Sequence, residues 1–458
     1  MEQIKENKLG VMPVPKLLAS MSIPLIVANV ITALYNVVDG IYVAQLSETA
    51  LAATTLAYPA QMVMQAVASG TAGGVNSLLS RRLGAKRFGD ANDAASHGLV
   101  LSAIGYLLFL VLGLTLSRWF IGLFTDEQTL YTMGYQYLEV CLCGSVGIFF
   151  AYAFNSLLES TGHTGFCLIM QGTGGIINIV LDPILIFGRF GFPEMGIRGA
   201  AVATVISQCI GAVLGLIFCL TGNHDIQISF KGFRMKGPVV KEIYQVGVPA
   251  MLMMGMGSLM NVGMNKILIA ISDTAVSVFG IYYKLQNFVF MPVFGITQGM
   301  VPIVGYNYGA RRPARMKQAL KLALVVSAVI MGIGTVVLHL WPEAFLRLFS
   351  ATEEMYEIGV PALRITSIPF IMSAFCIVLG DFLNGLGIGY VTAVNSFLRQ
   401  ILILLPLAWL FERLFGIHYV WYAFVASEFM SLGYSTVMFF KLWKQKVKPL
   451  EADTQPAA

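Results

Sequence analysis

"GAKR" at residues 84–87 returns as "GARR" at residues 309–312, 225 positions later, and this recurrence decides how the whole chain is read. Held at that offset, the sequence superposes on itself without gaps over about 170 residues. Pro24 falls on Pro249, Asn36 on Asn261, Tyr58 on Tyr283, Gly70 on Gly295 and Gly74 on Gly299. "GLFT" at 122–125 meets "RLFS" at 347–350, Tyr131 meets Tyr356, Gly162 meets Gly387, and Gly191 meets Gly416. One such match would mean little, whereas one unbroken register is a duplication.

What is duplicated belongs to a membrane. The chain of 458 residues is 57% hydrophobic and only 12% charged, with a mean hydropathy of +0.75, against about 25% charged in soluble domains. Since about 20 apolar residues span a bilayer as a helix, twelve spans are expected, near 17–44, 51–79, 95–116, 130–158, 164–187, 196–220, 240–270, 275–305, 317–341, 355–383, 388–411 and 418–442. Strand-like alternation is absent, which argues against a membrane barrel. The expected fold is therefore an all-α membrane protein, twelve transmembrane helices in two pseudo-symmetric six-helix bundles. Six is even, so both halves share one orientation, and parallel repeats place a pseudo-two-fold axis along the membrane normal. The reading assigns 1–222 to an N-terminal lobe, 223–239 to a polar linker, 240–445 to a C-terminal lobe and 446–458 to a disordered tail.

Basic residues set the orientation. With the N-terminus inside, twenty Lys and Arg fall in cytoplasmic segments, from Lys5 to Lys448, and five in outer ones. Both termini are expected in the cytoplasm of a cell with this protein in its inner (plasma) membrane. The net charge of +5 then reflects topology, and no nucleic-acid partner is inferred. The opening "MEQIKENKLGVMPVPK" has no cleavable apolar core, so no signal peptide is read. All six cysteines lie in expected spans, without zinc-ligand spacing. Neither HExxH nor GxxxxGK[ST] occurs, and no nucleophile–base motif appears, so the chain reads as no enzyme and no ATP-driven pump.

More telling is what fails to repeat. Asp39 aligns with Met264, Asn178 with Ile403 and Asp182 with Leu407. An Asp in mid-span costs about 2.5–3.5 kcal/mol on insertion scales. In "NIVLDPILIFG", residues 178–188, Asn178 sits one turn before Asp182 on the same face. Pro183 has no N–H, so the Ile179 carbonyl loses its helical donor. A carboxylate, an amide oxygen and a freed carbonyl suit a hard cation, and a buried carboxylate can equally carry a proton. Span 1 adds Asp39, with Asn36 one turn away. Each Asp read alone could simply bond a neighbouring helix; two acids and two amides in one half favour an ion site.

"NVVDGIYVAQL", "SRRLGAKRFGDA", "NIVLDPILIFG" and "GIRGAAVATVISQ", set in duplicated six-span halves, resemble the MATE (multidrug and toxin extrusion) family over nearly the whole chain. The resemblance implies a secondary active antiporter that exports organic, often cationic compounds in exchange for H⁺ or Na⁺, with no cofactor beyond that ion. It carries a cation site onto Asp39, Asn178 and Asp182, where Na⁺ is the metal to consider, with Thr204 a further candidate from span 6. Branches of the family with acids in span 7 and early span 10 are not matched: span 7 offers Asn261, Asn265 and Lys266, and Asp381 lies near the cytoplasmic end of span 10.

Substrate contacts are read at Tyr35, Met254, Asn261 and Tyr282, the tyrosines through cation–π contact and Met254 from a Met-rich span whose side chains adapt to irregular cargo. Core packing is the competing reading for the methionines, interface anchoring for the tyrosines. Lys284, Arg364 and Arg399 need partners, with Glu139, Glu159 and Asp381 available. The expected partners are small organic substrates and the lipid bilayer, with the chain a monomer. A lipid-linked oligosaccharide flippase of the same superfamily, or a narrow-substrate metabolite exporter, is the rival function; the flippase would favour a large cationic cavity.

Overall fold

The computed structural model describes residues 7–222 and 225–454; Lys5, the first two linker residues and the last four of the tail lie outside them. Twelve long helical elements run in sequence order. The first half holds α1 (Val14–Leu46), α2 (Glu48–Gly84), α3 (Phe88–Gly122), α4 (Gln128–Cys143 with Val146–Ser160), α5 (Thr164–Phe187) and α6 (Ile197–Thr221). The second holds α7 (Gly237–Ile269), α8 (Asp273–Gly309), α9 (Pro313–Leu340), α10 (Glu353–Ser367 with Phe370–Gly385), α11 (Tyr390–Phe415) and α12 (Tyr422–Leu442). The two six-helix bundles expected from the duplication are the architecture observed.

Local chemistry repeats at the same offset. Ser47 caps α2 by accepting from the Ala50 N–H at 2.9 Å, and Ser272 caps α8 by accepting from Ala275 at 3.1 Å. α4 bends by 43° and α10 by 44°, where Gly144 and Pro369 superpose and weaken the helical ladder. Left-handed backbone recurs in register at Lys86 and Arg311, Gly162 and Gly387, and Gly191 and Gly416.

Among the described residues, eleven spans pass a test of length and apolarity once each bent pair counts as one. α2 is the exception. It is long enough at 37 residues but rich in Thr, Ser, Gly and Gln. Its inner half is largely buried between the bundles, and a helix covered by protein needs no apolar surface. The lipid-facing belt is instead plain on α3 and α9, where Ile104, Leu108 and Val111, and their equivalents Val329, Ile333 and Val336, are all exposed.

The lobes meet at one end only. One apolar core, from Leu9 through Leu79 and Ile303 to Phe382, joins both lobes at the end carrying the basic loops. Towards the opposite end the core splits, one part around Phe109 and Ile148, the other around Phe279 and Trp421. There Leu34, Val37, Leu259 and Val262 of α1 and α7 stand exposed. The molecule is a V, closed at the basic end.

Two expectations need revision, the disordered tail and the partners of the span-embedded cations. The tail is helical as far as Thr454, because Val447 is fully buried and Glu451 pairs with Lys317 at 2.7 Å, which ties this segment to α9. The linker is fastened to α3: Asn92 accepts from the Gln227 N–H at 2.8 Å, and Ser96 donates to the Ser229 carbonyl. The span-embedded cations ignore the acids first considered. Arg399 pairs with Glu428 at 2.7 Å, Arg364 donates to the His339 carbonyl, and Lys284 sits over the Phe349 ring. The six cysteines are unpaired.

Candidate functional site

Two polar features lie inside this apolar body. The first is the acid site of the N-terminal lobe. On α5, Asn178 and Asp182 are one turn apart and buried, at 1% and 0% exposure. Asn178 Nδ2 donates to Asp182 Oδ1 at 3.3 Å and lies 3.4 Å from Thr204 Oγ1 on α6. Asp39 on α1 brings its carboxyl group within side-chain hydrogen-bonding reach of Asp182. The α1–α5 approach that allows this is made at glycines: Ile31 and Tyr35 lie against Gly175, and Ile31 against Gly172.

The oxygens are the informative part. Asp39 Oδ1, Asn178 Oδ1 and Asp182 Oδ2 are each buried without a hydrogen-bond partner. Buried polar atoms are nearly always satisfied, so three orphaned oxygens in one place form a donor-seeking cluster. Hard cations take such oxygen ligands, and a proton shared by facing carboxyl groups would satisfy the same atoms. The set fits Na⁺ or H⁺ chemically. The equivalent place in the C-terminal lobe is apolar, with Met264 fully buried and Leu407 packed in the same core. Asn36 does not join the cluster: it is exposed and faces the cavity described next.

The second feature is a cavity of about 430 Å³ lined by both lobes. Tyr35 and Asn36 line it. Met254 reaches its margin, where its Sδ accepts from Ser69 Oγ at 3.3 Å, and Ser69 lines the wall beside Met253. Asn261 is half-buried on α7 and outside the lining. Tyr282 is a correction. It is 2% exposed in the core of the C-terminal lobe, its ring 5.4 Å from that of Phe424, because α8 turns this face inward. Two lining acids went unassigned in the sequence. Glu159 accepts from Asn155 at 2.6 Å and from Asn76 at 2.8 Å, and Asp381 accepts from Asn384 at 3.0 Å. The register held the clue, since Glu159 falls on Asn384 and Ser156 on Asp381, and all four line the cavity.

A family model described as MatE matches residues 24–184 and 249–410. The two matches begin at Pro24 and Pro249, a pair that the internal register superposes. The chain is similar to "Multidrug export protein MepA" of Staphylococcus haemolyticus, 23% identical over 416 residues and covering 90% of both chains. It is also similar to "FAD transporter" of Shewanella oneidensis, 26% identical over 406 residues, covering 88% of this chain and 90% of that one. In fold it matches a MOP superfamily transporter from Pyrococcus furiosus, with a TM-score of 0.89, 23% identity and coverage of 98% and 100%.

Proposed function

This chain belongs to the MatE family of multi-pass membrane transporters, and from that premise we propose that it is an efflux antiporter that expels organic, often cationic compounds in exchange for inward H⁺ or Na⁺. The single observation that carries the reading is the trio of unpartnered oxygens on Asp39, Asn178 and Asp182. A coupling ion must bind where it is otherwise missed, and those atoms are costly to leave bare. The name of the Staphylococcus haemolyticus relative supports the multidrug part.

Coupling follows from α1, which carries both Asp39 and the cavity residues Tyr35 and Asn36. An ion held between Asp39 and Asp182 draws α1 onto α5 and reshapes the cavity wall on the same helix. Cargo affinity falls while the lobes are parted, and release is completed. The basic loops support a cytoplasmic closed end for the V. The conformation described is then the outward-open one, of a monomer in the plasma membrane with both termini inside.

The relative named a FAD transporter favours a narrower reading, export of a metabolite. A phosphate-bearing cargo, whether that or a lipid-linked sugar, calls for basic groups, and the cavity lining has acids instead.

Purified protein in liposomes, loaded with a fluorescent organic cation and given a Na⁺ or a pH gradient alone, tests the proposal. Movement under one gradient names the ion. No movement under either, from protein that remains folded, would defeat antiport.

A further inference from the structure

The cavity enters the antiport reading only as room for cargo, yet its chemistry narrows what that cargo is. Glu159 comes from α4 and Asp381 from α10, at places about one helical turn apart in the superposed repeats. α2 ties the two. Asn76 donates to Glu159, the adjacent Ser77 Oγ donates to the Asn384 backbone carbonyl at 2.5 Å, and Asn384 Nδ2 donates to Asp381. These bonds orient both carboxyl groups and supply no positive charge. Among the described residues, no Lys, Arg or His lines the cavity. The span-embedded cations Arg399, Arg364 and Lys284 are engaged elsewhere.

Two carboxyl groups without a counter-charge, Glu159 buried and Asp381 half-buried, are costly to keep ionised, and a cation that hydrogen-bonds well offsets that cost. Much of the remaining wall is amide and hydroxyl, with Gln65, Gln171, Gln208 and Gln298 among its side chains. Each amide carries an acceptor oxygen beside its N–H donors, and a ligand without donors leaves those oxygens unpaired, which penalises it. A lipophilic monocation with no N–H satisfies neither the second acid nor the amides. An aliphatic amine with several ammonium groups satisfies both, and about 430 Å³ accommodates one.

We propose that this cavity is a recognition site for hydrophilic aliphatic amines bearing two or more ammonium groups, the linear polyamine class. Glu159 and Asp381 each receive one ammonium group, and the surrounding amide oxygens accept from the rest. The inference rests on the transporter reading for the cavity's role as cargo site, and it is tested without any ion gradient.

The test is calorimetric titration of the purified full-length protein with spermidine, with tetraphenylphosphonium as the lipophilic comparator. The variants are Glu159→Gln and Asp381→Asn, with Asp273→Asn, an exposed acid at the start of α8, as the charge control. Spermidine should bind about tenfold or more tighter than tetraphenylphosphonium, and each cavity variant should weaken spermidine about tenfold or more while the control does not. Equal or tighter binding of tetraphenylphosphonium overturns the proposal. So does wild-type spermidine affinity in folded cavity variants. Should both variants fail to fold, the comparison of the two ligands on the wild-type protein decides. If spermidine binds as expected but no gradient drives transport, the antiport reading alone fails; if a gradient drives dye but spermidine does not bind, this inference alone fails.

Discussion

Gly84 and Gly309 close the basic end of the molecule on each other's helices. A Cβ on Gly84 would overlap the Tyr306 carbonyl oxygen, and a Cβ on Gly309 would overlap that of Arg81. Arg81 and Tyr306 are themselves equivalent in the two repeats, so the contact is made twice about the pseudo-two-fold axis. The same reciprocity holds further in, where Gly70 meets Met251 and Gly295 meets Ile26. These four duplicated glycines are points on which the lobes touch.

Alanine at either glycine should therefore destabilise this closure. A mid-helix Gly→Ala change normally gains about 1 kcal/mol in propensity, but the overlapped atom here is backbone and cannot rotate away. Overpacking of about 1–3 kcal/mol should win. Gly84→Ala and Gly309→Ala should lower the melting temperature by similar amounts; a wild-type melting curve for either would refute the contact.

Asp39→Asn and Asp182→Asn should each abolish gradient-driven transport while folded yield holds or rises. Removing a charge from a span relieves an insertion cost of about 2.5–3.5 kcal/mol, so these carboxylates are retained for something other than stability. Thr204→Val should weaken transport less, because Thr204 touches the cluster only through Asn178. Transport at the wild-type rate in both Asp variants would remove the site from the mechanism.

Arg399 and Glu428 form a pair inside the C-terminal lobe, and Arg399 Nε and Glu428 Oε2 remain unpartnered. Breaking such a pair from one side costs about 3–5 kcal/mol, whereas replacing both partners with apolar residues is often neutral. Arg399→Met should be strongly destabilising, and adding Glu428→Leu should restore most of the loss. A double-mutant cycle in thermal unfolding measures this; additive effects would mean the pair is incidental.

The segment Asn7–Met12 straps the lobes together at the basic end. Asn7 donates to the Thr161 carbonyl and to Asp225, while Arg312 and Arg315 donate to the carbonyls of Gly10, Leu9 and Met12. With each bond worth about 0.5–1.5 kcal/mol, Arg315→Ala should shift the lobes toward opening at that end. Spin-label distances between α2 and α8 should then broaden and lengthen; an unchanged distribution would show that the strap bears no part of the closure.

The sequence by itself determined the duplication, the number of spans and the acids of the first lobe. Those are local or strictly periodic properties: span length follows from bilayer thickness, and a mid-membrane Asp stands out by its cost. Asn178 and Asp182 share one helix and one face, so their pairing was legible before any fold was known.

Tertiary structure alone decided which surfaces face inward. Tyr35 and Tyr282 carry the same chemical suggestion in one dimension, yet one lines the cavity and the other is core. Glu159 and Asp381 lie more than two hundred residues apart and share a cavity only because two lobes converge. Arg399 found Glu428, and the tail stayed helical against α9, through packing within the C-terminal lobe that no single helix shows. A bilayer makes most helix faces equally apolar, so hydrophobic periodicity cannot mark the inner face, and packing between helices has to choose it.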